Sequence, residues 1–174
     1  CTNCSLVQIP EVAKREALFR SDYVYFSSYS TSWLEHSQAY ASKMIELLHL
    51  SDQDLVIEVA SNDGYLLQYF TENGVPVLGI EPSSGVAQVA IKKGISTIVD
   101  FFGTELSKKL AFEEKPKLML GNNVLAHVPD LHDFIKGFSI LIAPEGLITF
   151  EFPHIVSLIR NNQFDTIYHE HYSY

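Results

Sequence analysis

The apolar positions of this chain follow two rhythms. From Ser32 to Leu50, "SWLEHSQAYASKMIELLHL", they recur at helical spacing through Trp33, Leu34, Tyr40, Met44, Leu47 and Leu48. After residue 54 the rhythm becomes one of short β-branched runs separated by helix-length segments. Leu55–Ala60 (LVIEVA), Val75–Glu81 (VPVLGIE), Ile95–Asp100 (ISTIVD), Lys117–Asn123 (KLMLGNN) and Gly146–Phe152 (GLITFEF) read as strands. Residues 64–74, 83–94, 103–112 and 131–143 read as the helices between them. Asn73-Gly74 and Gly94 are stops, Ser83 or Ser84 a cap, and Pro144-Glu145-Gly146 a turn.

Strands alternating with helices of this length predict an α/β fold: a doubly wound, mostly parallel sheet with a helical or linker segment before it. In such sheets ligands bind beyond the carboxyl ends of the strands, at the topological switch point. Those ends are where chemistry is to be sought.

Composition narrows the class. The 174 residues are 47% hydrophobic and 19% charged, as in an ordinary folded domain. Twenty-one acids against 12 bases give a formal charge of −9 with no basic run, which argues against a nucleic-acid partner. No apolar run reaches membrane-spanning length and the polar start is not a signal peptide, so a cytoplasmic, non-membrane protein is expected. No pattern encodes an oligomeric state.

The first strand leads into "EVASNDGYLL": Glu58, Ala60, Ser61, Asn62, Asp63 and Gly64. A dinucleotide-binding turn carries three glycines so that backbone can approach a pyrophosphate. Here only Gly64 is glycine, and Asp63 puts negative charge where phosphates would lie. The turn suits a cofactor without phosphate and with a cationic amino-acid moiety, S-adenosylmethionine; the bland alternative is an ordinary polar turn. Glu81, at the second strand's end, is placed to accept ribose hydroxyls, or to serve as an acid at a helix N-terminus. Asp100 is a partner for an adenine amino group, with Phe101 or Phe102 on the ring or in the core. Asn122 and Asn123 offer polar contacts at the fourth strand's end, followed by His127.

Cys1 and Cys4 are the two cysteines, spaced C-x-x-C. The spacing fits half of a tetrahedral zinc site, while a disulfide or a thioredoxin-like redox pair fits the context poorly. The last seven residues, "YHEHYSY", gather Tyr168, Glu170 and His171 in a cluster capable of proton transfer. A neighbouring carboxylate is expected to orient the imidazole; a tyrosine-rich strand packed on the sheet is the alternative.

Taken together, "CTNCSLVQ", "SDYVYFSSYSTSW", "EVASNDGYLL", "GIEPS", "NNVLAHVPD" and "FDTIYHEHYSY" resemble the S-adenosylmethionine-dependent sugar C-methyltransferases that act on nucleotide-linked keto-deoxysugars. The resemblance spans essentially the whole chain. It implies that residues 1–30 are the remnant of an N-terminal zinc-binding module and linker, with Cys1 and Cys4 as the second of two cysteine pairs. It implies a cofactor-binding methyltransferase domain over 31–160, and an active-site segment over 161–174 leading into a C-terminal Rossmann-like domain. The implied reaction removes a proton α to a sugar carbonyl, and the resulting enolate carbon attacks the cofactor methyl. By motif position His171 resembles the general base. Tyr168, Glu170 and His127 resemble its supporting acid, orienting and enolate-binding groups, and Tyr23, with Tyr25 close by, a substrate-side tyrosine. The alternatives are an O-methyltransferase on another small molecule and a non-catalytic module that keeps the fold.

Overall fold

The runs of β-branched residues build a five-stranded, wholly parallel sheet, and the helix-length segments cover its two faces. The structure is a computed structural model that describes residues 1–11, 14, 18–19, 23–110, 115–164, 167 and 170–174. In chain order the elements are α1 (Thr31–Leu48), β1 (Val56–Val59), α2 (Leu67–Glu72), β2 (Val77–Ile80), α3 (Ser84–Lys92) and β3 (Thr97–Ile98). They continue with α4 (Thr104–Lys109), β4 (Leu118–Asn122), α5 (Leu131–Leu141), β5 (Leu147–Glu151) and α6 (Ile155–Arg160).

The strand order is β3-β2-β1-β4-β5. From β1 the chain steps outward to β2 and β3, then returns to the other side of β1 as β4. The carboxyl ends of β1 and β4 therefore flank the switch point. Register is set along the central strand: Val56 lies beside Val77 on one side and Leu118 on the other.

Burial on both faces explains the near-continuous apolar runs. Side chains alternate between two cores. Val56, Leu118 and Leu120 pack with Ala41 and Met44 of α1 and with Leu66, Leu67 and Phe70. Ile57, Val59 and Met119 face Phe102, Leu106, Phe134, Phe138 and Leu141 on the other side. There Phe138 meets Phe102, Phe134 and Phe150 at centroid distances of 4.8, 5.2 and 4.9 Å, in edge-to-face geometry. Each fully buried ring contributes roughly 1.5–3 kcal/mol.

Several elements differ from the sequence expectation, each for a local reason. The helix expected from Gly64 begins only at Leu67, because Asn62 and Gly64 take left-handed φ of +50° and +78° and the chain must turn before it can coil. The third strand shrinks to two residues. Ser83 stands at the N-cap of α3, but its hydroxyl makes no capping bond to the helix; its amide donates to Glu81. Ser30 caps α1, accepting from the Trp33 amide at 3.3 Å. The helix expected over 103–112 runs to Lys109 among the described residues.

Among the described residues, two of the features without a counterpart in the sequence reading bear on the chain's ends. One is α6, a six-residue helix after Pro153. The other joins distant parts of the chain: Ile9 donates its amide to the Tyr172 carbonyl (2.9 Å) and Tyr174 donates to Val7 (3.0 Å), an antiparallel bridge between Gln8 and Ser173. Among the described residues no helix is long and apolar enough to cross a membrane.

Candidate active site

The turn after β1 is built by its unusual backbone. Ala60, Asn62 and Gly64 all have positive φ, and the Ala60 amide donates to Ile80 at 2.8 Å, folding the turn over the end of β2. A side chain at Gly79 would stand 2.4 Å from the Ser61 hydroxyl, so only glycine lets the turn lie this close to β2. The turn presents the Asn62 amide to one oxygen of Glu81 (3.0 Å), while the Ser83 amide takes the other (2.8 Å). Burial raises the Glu81 carboxyl above the usual range, and these two donors pull against that rise.

Beyond these strand ends lies a cavity of about 730 Å³. Of the sequence-predicted cofactor residues, it is lined by Ala60, Asn62, Glu81, Asp100, Phe101, Asn122 and Asn123. Tyr23, His127, Glu170 and His171 line it as well. Phe102 serves two purposes, bordering the cavity and packing in the aromatic core.

Other predicted residues stand apart from the cavity lining. Glu58 is fully buried on the α1 face, Ser61 packs against Gly79, and Gly64 sits against Ile95. Strand alternation explains Glu58: it shares a face with Val56 rather than pointing along the strand end. Burial holds the Glu58 carboxyl well above the usual range, and a side-chain hydrogen bond with Tyr65 moderates the effect. Asp63 also turns away. Its carboxylate accepts from the Ser28 hydroxyl and faces Lys93, so it does not place charge in the cavity. Cys1 and Cys4 are exposed thiols away from the cavity, and among the described residues no group of three or more His, Cys, Asp or Glu side chains is placed to hold a metal. Tyr168 lies outside the described residues.

The terminal segment reaches the cavity because the Tyr172 amide donates to the Ala126 carbonyl at 2.7 Å. Ala126 belongs to a short 3-10 turn, Leu125–His127, after β4. The contact brings the rings of His127 and His171 to 4.6 Å, edge to face. His127 Nδ1 lies 3.1 Å from the Glu170 carbonyl oxygen. A carbonyl can only accept, so this nitrogen carries the proton and Nε2 holds the lone pair of the neutral ring. Burial, then the neighbouring His171, pushes His127 down to about 4. Burial also lowers His171 below the ordinary imidazole value. The sequence reading expected a carboxylate beside His171. The structure places a second imidazole there, and Glu170 approaches the pair through its main-chain oxygen.

The lining has a consistent electrostatic character. Among the described residues it includes the carboxylates of Glu81, Asp100 and Glu170 and no lysine or arginine. Ala60 and Asn62 present Cβ atoms where a diphosphate cradle keeps glycines.

A family model described as "Methyltransferase domain" matches residues 33–174. The chain belongs to the methyltransferase-domain family. It is 38% identical over 175 residues to the C-methyltransferase NovU of Streptomyces niveus, covering all of this chain and 41% of NovU. The chain thus spans about two-fifths of the length of that curated relative. Among solved structures it resembles an S-adenosylmethionine-dependent methyltransferase from Clostridium acetobutylicum, with a TM-score of 0.59 and 14% identity over 74% of this chain and 54% of that one. It also resembles the plantazolicin methyltransferase BpumL, solved with SAH and a pentazolic analog (TM-score 0.57, 12% identity, 80% of this chain and 52% of that one). The sheet and its flanking helices are those of the class I S-adenosylmethionine-dependent methyltransferase fold.

Sequence reasoning missed part of this methyltransferase domain's cavity wall. Trp33 and Tyr65 line it with rings 6.0 Å apart, and Phe19 packs on both Tyr23 (5.4 Å) and His127 (5.7 Å). Trp33 had a signal, as the chain's single tryptophan on a helix near the strand ends. The His36–Glu151 contact at 2.7 Å, which ties α1 to the end of β5, had none: the two residues are 115 positions apart.

Proposed function

We propose that the chain is the cofactor-binding part of an S-adenosylmethionine-dependent C-methyltransferase that acts on a nucleotide-linked keto-deoxysugar. The observation that carries the reading is the close imidazole pair, His127 and His171, held on the wall of a cavity whose described lining has carboxylates and no fixed cation. NovU, to which the chain is 38% identical, is a C-methyltransferase.

The residues fit the cofactor. Glu81 is positioned for ribose hydroxyls, since the two backbone amides that hold its oxygens leave it acceptor capacity at the cavity wall. Asp100 and Phe101 offer an acceptor and a ring face for adenine. Ala60, Asn62, Asn122 and Asn123 complete the wall. When bound, the cofactor supplies an electrophilic methyl group on a cationic sulfur, and a lining without lysine or arginine adds no repulsion to that charge.

On the acceptor side, His171 takes the proton α to the sugar carbonyl, and the enolate carbon that remains is the nucleophile. A base held below the usual imidazole range is already neutral at pH 7 and ready to accept. The resemblance makes His127 an enolate-binding donor, yet its Nδ1–H is spent on Glu170 and its Nε2 is an acceptor. That contact favours a second assignment in which His127 shares or takes over the base role. In the same reading Cys1 and Cys4 form half of a structural zinc site within residues 1–30, and residues 161–174 join a further substrate-binding domain.

The test uses a protein of NovU-like length carrying this sequence, a keto-deoxysugar nucleotide, and proton NMR of the product. A new C-methyl signal is expected, lost in His171→Ala with cofactor affinity nearly unchanged. A methyl on oxygen contradicts the reading, and full turnover by His171→Ala contradicts the base assignment.

A further inference from the structure

The turn after β1 reaches in two directions. Its main chain is fixed on Glu81 through the Asn62 amide, 3.0 Å from Oε2. Its side chains reach the opposite way, onto residues 23–28, which carry Tyr23 and Tyr25 along the cavity. Asn62 Oδ1 accepts from the Ser27 amide at 2.9 Å, and Asn62 Nδ2 donates to the Tyr25 carbonyl at 3.1 Å. One side-chain amide thus supplies the donor and the acceptor that a neighbouring strand would offer.

The next residue adds a second attachment. Asp63, 1% exposed, accepts from the Ser28 hydroxyl through Oδ2. Lys93 Nζ lies 3.4 Å from the same oxygen and donates to the Asp63 carbonyl at 2.9 Å. Tyr23 packs on Phe19, but around Val24 and Tyr25, 79% and 60% exposed, apolar burial does little to hold the segment in place. Polar contacts to two consecutive residues of the cofactor turn hold it instead.

The geometry points to Asn62 and Asp63 as positioning residues: a latch that couples occupancy of the space beside Glu81 to the placement of Tyr23 and Tyr25. The inference rests on the proposed reading of Glu81 as the ribose-binding carboxylate. A ligand drawing on Glu81 fixes the carboxylate that holds the Asn62 amide. At φ +50° the Asn62 backbone has few other places to go, so its side chain is fixed with it. Linkage makes the effect reciprocal. The factor by which a bound ligand protects the strap equals the factor by which the closed strap strengthens the ligand.

The test is NMR hydrogen exchange of the Ser27 amide in this chain, with and without saturating S-adenosylhomocysteine, alongside calorimetric affinity. Asn62→Gly keeps the positive φ and the main-chain N–H to Glu81 while removing both side-chain contacts. Ser28→Ala removes only the hydroxyl on Asp63. In the wild-type chain the ligand is expected to slow Ser27 exchange by about tenfold, within the range typical of coupled sites. In Asn62→Gly, exchange is fast and indifferent to ligand, and the Kd weakens by the factor of protection lost. Ser28→Ala moves both quantities the same way by less, and it decides the matter alone if Asn62→Gly loses its circular dichroism signal. Ser27 exchange that ignores a ligand shown to bind overturns the coupling, as does unchanged exchange in the variants. Failure of the ligand to bind at all overturns the cofactor reading and the coupling with it. Ser27 exchange in the unliganded variants still shows whether the latch exists.

Discussion

His127 and His171 lie with their ring centroids 4.6 Å apart, although 44 positions separate them in the chain. Two imidazoles this close, His171 buried and His127 half-buried, resist carrying charge together. The arrangement has a consequence for stability as well as for chemistry.

Both histidines titrate below their unfolded value, so in acid the unfolded chain binds protons that the folded chain refuses. The histidines' contribution to stability is therefore constant above pH 6.5 and falls as pH drops from 6.5 toward about 4. For His127 the full loss is about 3 kcal/mol. In thermal unfolding followed from pH 7.5 to 4.5, the wild-type midpoint should lose ground to that of His127→Asn as the pH falls. An equal slope in both proteins would show that the imidazole is not held neutral.

Glu58 predicts the opposite slope. Its carboxyl is raised by burial, so above the unfolded carboxylate range folding must suppress ionisation. The cost is absent in acid and grows as pH rises toward the folded value. Glu58→Gln should raise the melting midpoint by several degrees at pH 7.5 and by little at pH 4. A variant less stable than wild type at pH 7.5 would show that the charge of Glu58 is needed in the fold.

Gly79 is required by contact rather than by conformation. A methyl there meets the Ser61 hydroxyl at 2.4 Å and its Cβ at 3.0 Å. Gly79→Ala is expected to cost about 1–3 kcal/mol in denaturant unfolding, and Ser61→Ala in the same chain to recover part of it. An unaffected midpoint would mean the turn after β1 yields more easily than its packing implies.

Phe138 touches three other rings at the centre of the α4–α5 face. Phe138→Ala should cost about 3–5 kcal/mol, measured by the same unfolding. The cavity's cofactor side borders this cluster through Phe102 and Phe134, so weakened S-adenosylhomocysteine binding is expected to accompany the loss.

The sheet was legible because buried parallel strands and their helices each leave a periodic signature, and Val56 through Val59 carry it plainly. The strand-end positions of Glu81, Asp100 and Asn122 followed from topology alone. Side-chain direction did not. Glu58 and Asp63 look like site residues in one dimension, yet pleat geometry sends one into the α1 core and a turn sends the other to Ser28 and Lys93. The His127–His171 meeting depends on the Tyr172–Ala126 hydrogen bond, a contact across 46 positions with no local pattern to announce it. Trp33 read as one more apolar helix position, since period 3.6 cannot distinguish a core ring from one that borders a cavity.

Thermal shift of this chain with S-adenosylhomocysteine and, separately, NADH tests the central claim most directly: that the cavity beside Glu81 accepts an adenosyl sulfur compound and rejects a diphosphate. At a hundred times its dissociation constant a ligand adds about 2.7 kcal/mol of stability. A clear rise with S-adenosylhomocysteine, diminished in Glu81→Ala and absent with NADH, is the predicted result. Stabilisation by NADH with none from S-adenosylhomocysteine would contradict the account.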